Sequence, residues 1–247
     1  MFTFENTKKQ VARIKGGKLK NVKIFLSTDK TDPKLCFDQL DIHDGMIILT
    51  PYFRKFRSCV YCVGHSGVGK STQACQFAKE YRKKYKNDII VFSPKDEDES
   101  LDSLNALRPL IDEYNLLDEE TKLLPEDLSN SLVIIDDIEG IANDNLKKAM
   151  RDFRDRLLLL GRSMKISIFI TNHLTLDGNR TKIPVKESNF FQFFPGGCCY
   201  STRRYLREYL GLPSKKIDEI MNERSRVITI HTHHPRFIVT KDKISKL

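Results

Sequence analysis

Apolar residues fall along this chain in two rhythms. The runs CVYCV at 59–63, IIVF at 89–92, LVII at 132–135 and the stretch KISIFITNH at 165–173 are short and nearly unbroken, and each ends at a polar or glycine-bearing turn. Such runs predict strands buried on both faces, as in a parallel sheet. Between them the spacing changes to that of helices. STQACQFAKEYRKKY places Ala74, Phe77, Ala78 and Tyr81 on one face and its basic residues on the other. NDNLKKAMRDFRDRLLLLGR predicts a helix that starts near Asn143, with Leu146, Met150, Phe153, Leu157 and Leu160 inward. Leu101, Leu104, Leu107, Leu110 and Ile111 suit a further helix beside the sheet, and a polar connector follows at 116–130. Alternating strand and helix predicts an α/β fold with a central, mostly parallel sheet flanked by helices.

Outside this block the pattern is less regular. VKIFL (22–26) and MIILT (46–50) read as strands that either extend the central sheet or form a small hairpin, so residues 1–50 are taken as a strand-rich N-terminal extension. Toward the C-terminus, STRRYLREYLGL and KKIDEIMNE predict helices, and RVITI with RFIVT a strand pair. Residues 180–247 are expected to pack onto the same sheet, which makes 51–247 one domain.

The six cysteines have no framework spacing. Cys59 and Cys62 lie in an apolar strand and read as buried thiols. Cys198 and Cys199, with His231, His233 and His234, are a remote metal candidate. No run approaches about 18 apolar residues, and the first twenty residues lack the apolar middle of a signal peptide, so a soluble intracellular protein without a membrane span is expected. The net charge is +9, but residues 96–127 hold twelve acidic against two basic residues. The segment is thus at −10 and the remainder at +19. A basic body with one acidic excursion suits either a polyanion-binding face or a solubilising surface.

Candidate chemistry concentrates after the first apolar run. GHSGVGKST, comprising Gly64, His65, Ser66, Gly67, Val68, Gly69, Lys70, Ser71 and Thr72, matches a phosphate-binding loop, with a strand before it and a helix after it. The glycines allow a tight turn, and the amides opening the helix point at an anion. Lys70 would reach the β and γ phosphates of ATP, Ser71 would hold Mg2+, and Thr72 would contact the α phosphate. In VIIDDIE, Asp136 is the candidate magnesium carboxylate. Asp137 or Glu139 is the residue that activates water. Thr171-Asn172-His173 closes the fourth strand, where Asn172, and after it His173, can sense the γ phosphate. Arg151, Arg154, Arg156 and Arg162 crowd the preceding helix. Gly161 breaks that helix and sets Arg162 on a corner from which it can approach a neighbouring subunit's phosphate.

The ordered set GHSGVGKST, IIVFSP, VIIDDIE and GRSMKISIFITNH resembles the FtsK/HerA superfamily, specifically the A32-like genome-packaging ATPases of large double-stranded DNA viruses and virophages. FFPGG, YLREYLGL and SRVITIHTHHPRFIV extend the resemblance over residues 58–240. It implies a RecA-like fold, a homo-oligomeric ring, and ATP-driven movement of duplex DNA into a capsid, with capsid or portal proteins as partners in the host cytoplasm or viral factory. It also implies nucleotide contacts at Gly69 to Thr72, magnesium at Asp136, a catalytic acid at Asp137, an arginine finger at Arg162 and a sensor at Asn172. This chain departs from cellular relatives, which usually carry Glu at the position of Asp137 and Gln at that of Asn172. Arg180 and Lys182, with Arg203, Arg204 and Arg207, are candidate contacts to DNA phosphates. Another DNA-translocating ATPase, a small-molecule kinase and an ATP-binding adaptor are the competing readings.

Overall fold

Residues 1–51, 57–197 and 200–247 are described by a computed structural model. They divide into two units, Lys55–Ser188 and Met1–Arg54 together with Asn189–Leu247.

The chain opens with six short strands: β1 (Phe2–Thr3), β2 (Gln10–Lys15), β3 (Lys23–Leu26), β4 (Cys36–Phe37), β5 (Gln39–Asp41) and β6 (Met46–Leu49). Five of them form an antiparallel sheet ordered β4-β1-β3-β2-β6. The expected strands VKIFL and MIILT are therefore β3 and β6, yet they do not pair as a hairpin: β2 lies between them. Its Val11, Ala12 and Ile14 are buried, but its three remaining residues are polar, which hides it from a search for apolar runs. The turn from β2 to β3 needs glycine, because Gly17 has φ +65° and a Cβ there would lie 2.7 Å from Asp44.

The unit Lys55–Ser188 contains β7 (Cys59–Val63), α1 (Lys70–Tyr85), β8 (Ile89–Phe92), α2 (Glu99–Asp102), α3 (Glu113–Leu116), β9 (Leu132–Ile135), α4 (Asp144–Leu160), β10 (Ser167–Asn172) and α5 (Lys182–Glu187). Its strands run parallel in the order β7-β10-β9-β8. Every residue of the four is buried, which is why their sequences show no polar alternation. The helices pack on the sheet through Phe77 against Phe169 and Phe153 against Phe92, each with ring centroids 5.6 Å apart. This is the RecA-like α/β arrangement expected, with a P-loop between β7 and α1.

One predicted helix is absent. Asp98 caps α2 by accepting the N–H groups of Ser100 and Leu101, but the helix stops at Asp102. Asn105 turns the chain through φ +48°, and Leu107 then pairs with Ile90 as an extended bridge. Pro109, which lacks an N–H, follows. Leu101 and Leu104 are buried by this turn, whereas Leu107 and Leu110 are 61% and 71% exposed. Their spacing mimicked a helical face.

In the other unit, β11 (Phe190–Phe193), α6 (Tyr200–Glu208), α7 (Ser214–Met221), β12 (Ile228–His231), β13 (Phe237–Val239) and β14 (Lys243–Lys246) complete the chain. Their strands form an antiparallel run β11-β12-β13-β14-β5. His231 is buried between Phe190 and Phe237, with ring centroids 5.0 and 4.7 Å away, and its Nδ1–H donates to the Pro235 carbonyl at 2.9 Å. It is therefore a core histidine. Burial pushes its pKa down to about 4, against the backbone bond that raises it.

Cys59 and Cys62 are buried free thiols. Burial pushes both up, Cys59 to about 11, so neither offers the thiolate that a metal needs. Cys198 and Cys199 lie outside the described residues, and among the described residues no metal-ligating cluster of three forms. No described helix is long and apolar enough to cross a membrane.

Candidate nucleotide site

Strand register levels the ends that carry the chemistry. Val63 pairs with Asn172, and Ile135 lies beside both Ile170 and Phe92. The segments after β7, β9 and β10 therefore emerge at one edge of the sheet. The Gly64 N–H donates to the Asn172 carbonyl at 3.1 Å, which continues the pairing into the loop. Gly67 (φ +77°) and Gly69 (φ +110°) then bring the backbone into α1, with Gly69 as its N-cap.

The first turn of α1 carries no acidic residue, while Arg82, Lys83 and Lys84 occupy its last turn. The positive end of the helix dipole is thus left for an anion. His65, Ser66, Gly67 and Thr72 are exposed, and Val68, Gly69 and Ser71 half-buried. Lys70 is buried, and its Nζ donates to the carbonyls of Gly64 at 2.8 Å and His65 at 3.0 Å. Burial lowers its pKa, and the carboxylates of Asp137 and Asp136 counter that effect.

Asp136 is 1% exposed. Its Oδ1 accepts the Thr171 hydroxyl at 2.7 Å, and its Oδ2 accepts Lys95 Nζ at 3.1 Å. Burial opposes the charge on Lys95, but the charge and hydrogen bond of Asp136, with the charges of Asp137 and Asp98, together raise the lysine's pKa. Asp137 sits in the left-handed region (φ +49°), where its N–H donates to Thr171 Oγ1 at 3.0 Å. His173 Nε2 hydrogen-bonds Asp137 Oδ2 at 3.0 Å. It also lies 2.9 Å from Oδ1, so the imidazole nitrogen faces both oxygens of the carboxylate. Glu139 is committed elsewhere: Arg151 grips it with both Nε, at 3.0 Å, and a terminal nitrogen.

The two sensor candidates separate. Asn172 donates through Nδ2 to the Tyr61 hydroxyl at 3.2 Å, and its Oδ1 accepts the His173 N–H at 2.9 Å. Its side chain is thus tied to β7, whereas Thr171 and His173, which flank it at the end of β10, face the aspartates. Arg162 is exposed, and α4 ends at Leu160 with Gly161 as its C-cap. A Cβ on Gly161 would lie 2.5 Å from the Leu157 carbonyl, beside the Arg57 guanidinium that caps Leu157 and Leu158. The corner precedes β10, whose six residues span roughly 20 Å. Arg162 therefore lies at the far edge of the sheet from its own phosphate loop.

The basic crowd on α4 does not form one solvated face. Arg151 holds Glu139, and Arg154, 1% exposed, donates to Asp155 Oδ1 and the Arg180 carbonyl, both at 2.8 Å. Arg156 is exposed, like Arg162. Among the candidate DNA contacts, Lys182 and Arg207 are exposed, and Arg180 pairs with Asp177 at 3.3 Å. Arg203 pairs with Asp218 at 2.6 Å, and Arg204 with Glu208 at 3.0 Å. Lys95, the Thr171 hydroxyl and the inward-facing Arg154 went unrecognised from sequence. A lysine just past a strand end, in SPKD, was the available signal for the first.

The chain is 33% identical over 246 residues to "Uncharacterized protein V3" of Sputnik virophage, covering 96% of each. It belongs to that protein's family. No family model matches the chain. Among solved structures, the cytoplasmic domain of the Thermomonospora curvata type VII secretion ATPase EccC is similar with a TM-score of 0.50 and 12% identity. The similarity covers 86% of this chain and 29% of that one, and it bears on the fold, that of an ATPase core. The genome packaging NTPase B204 of Sulfolobus turreted icosahedral virus 2, in complex with AMPPCP, is similar at a TM-score of 0.49 and 13% identity. It is matched over 74% of this chain and 97% of that one.

Proposed function

We propose that this chain is the ATPase of a viral DNA-packaging motor that works as a homo-oligomeric ring and moves double-stranded DNA into a capsid. The observation that carries this reading is the meeting, at one sheet edge, of the Lys70 loop, the buried Asp136 and the Asp137–His173 pair. Membership of a virophage protein family and the ordered motifs support the viral setting, with a capsid or portal protein as partner in the host cytoplasm or viral factory.

Ser71 and Asp136 offer hard oxygen donors that fit Mg2+, which when bound would neutralise charge on the phosphate oxygens. Lys70 turns from the loop carbonyls to the phosphates. Asp137 orients water while His173 fixes its carboxylate. Glu139 serves as the tether of α4 through Arg151. Arg162 acts on the nucleotide of the neighbouring subunit, since its own lies across the sheet. Arg180 and Lys182, on the segment after the sensor strand, hold DNA phosphates without reading bases, and Arg207 adds to them.

The test is steady-state ATP hydrolysis with and without long duplex DNA, beside a Lys70→Ala control. DNA is expected to raise a rate that the control abolishes. Turnover that needs a small-molecule acceptor would favour a kinase, and binding without turnover an adaptor.

A further inference from the structure

We propose that Lys95 is the resident counter-ion of the magnesium carboxylate: in the nucleotide-free protein its ammonium holds Asp136 Oδ2 and competes with the cation for that carboxylate, and loading of the site displaces it toward Asp98. This inference rests on reading Asp136 as the magnesium ligand.

A carboxylate as buried as Asp136 needs a partner for each oxygen. Thr171 satisfies Oδ1, and Lys95 alone holds Oδ2 among the hydrogen bonds described for it. The lysine backbone is fixed: its carbonyl accepts from Arg108 at 3.0 Å, and its N–H donates to Ser93 Oγ at 3.2 Å. Its side chain is 43% exposed, so it can leave without tearing the core.

A second position waits nearby. Asp98 Oδ2 lies 3.9 Å from the same Nζ. Asp98 is held in place by capping α2 through Oδ1 and by donating its N–H to Asp102 Oδ2 at 2.9 Å. From α2 the contact runs to the phosphate-loop helix, with the Ser100 and Thr72 hydroxyls 3.5 Å apart and Ser103 Oγ 3.4 Å from Cys75 Sγ. The alternative seat for Lys95 is therefore built on a segment that touches α1 beside the candidate phosphate contacts.

The consequence is an order of loading. An ammonium and a divalent cation at one carboxylate oxygen repel each other, so the lysine competes with the free metal and weakens its binding. The cation enters with the nucleotide, whose phosphates add the negative charge that makes displacement of Lys95 favourable.

Mn2+ binding, followed by electron paramagnetic resonance at pH 8, tests this with Mn2+ alone and with Mn2+ plus ATP. Lys95→Met and Lys95→Gln should each raise the affinity of the nucleotide-free protein for Mn2+ by at least about tenfold. Adding Asp136→Asn should cancel the gain. With ATP present, the Lys95 variants should match the unsubstituted chain within about threefold. Unchanged or weaker Mn2+ binding in both Lys95 variants overturns the proposal. So does loss of Mn2+·ATP binding in them, which would make Lys95 a phosphate ligand. Failure of the underlying reading looks different: Asp136→Asn alone would then leave Mn2+·ATP binding intact.

Discussion

The Thr171 hydroxyl donates to Asp136 Oδ1 at 2.7 Å across two adjacent parallel strands and accepts the Asp137 N–H at 3.0 Å. One hydroxyl thus fixes both members of the aspartate pair: it orients the carboxylate of the first and the backbone turn that presents the second. Thr171→Val keeps the shape and removes the hydroxyl. It should cost about 1–3 kcal/mol in urea unfolding and weaken Mg2+-dependent ATP binding, while Thr171→Ser retains both. Unchanged Mg2+ dependence in the valine variant would contradict the role assigned to this hydroxyl.

The assignment of the water-orienting carboxylate is decided by comparing neighbours. Asp137→Asn should lower kcat by about 10²-fold or more with ATP affinity nearly unchanged, whereas Glu139→Gln should leave kcat within a few fold and chiefly loosen the hold of Arg151. His173→Ala is expected between them, because it removes the positioning of Asp137 and leaves the carboxylate. Single-turnover hydrolysis of the three variants gives the ranking, and a Glu139 variant as impaired as Asp137→Asn would reverse the assignment.

Arg162 lies at the far edge of the sheet from the phosphate loop of its own subunit, so the arginine finger proposed here would act on a neighbouring subunit. Arg162→Ala and Lys70→Ala should each be inactive alone. Mixed in equal amounts under assembling conditions, they should recover part of the activity, since some interfaces then pair an intact loop with an intact arginine. A mixture no more active than its components would contradict a role in trans.

Arg154 joins the middle of α4 to the Arg180 carbonyl and to Asp155, whose pKa burial raises against the pull of the guanidinium. Arg154→Met strands a carboxylate and a carbonyl in a poorly solvated place. A loss of about 3 kcal/mol is expected in urea unfolding, far more than for exposed Arg156→Met. Equal effects of the two substitutions would show that the buried guanidinium is dispensable.

His231 makes stability depend on pH. Its pKa falls from an ordinary value near 6.5 to about 4 in the fold, so between those values the unfolded chain binds the proton and the folded chain resists it. Stability therefore rises with pH across that window and is lost as pH falls through it, by up to about 3 kcal/mol for this group. Urea unfolding between pH 4 and 7 should show a steeper loss in the unsubstituted chain than in His231→Phe. Parallel profiles would contradict the buried neutral state.

Much of the nucleotide edge was legible because each parallel strand is buried on both faces and so writes itself as an apolar run ending where the chemistry begins. CVYCV, LVII and the stretch before Thr171 were readable for that reason, and the phosphate loop needs glycines that few other motifs require. The N-terminal strand β2 was hidden by its polar residues, and Leu107 and Leu110 imitated a helical face that Asn105 and Pro109 do not permit. Contacts between distant segments were beyond a linear reading. Lys95 meets Asp136, and Arg154 meets Arg180, only once the strands are ordered in space. The direction of each side chain at the end of β10 was equally hidden: His173, one residue past the strand, turns toward Asp137, and Asn172 is left with Tyr61.

The central claim is movement along duplex DNA driven by ATP, and displacement of a labelled third strand from a DNA triplex measures it most directly. The account predicts ATP-dependent displacement that fails with Lys70→Ala, weakens steeply with added salt and does not depend on duplex sequence. ATP hydrolysis by an assembled protein that leaves the triplex intact would contradict it.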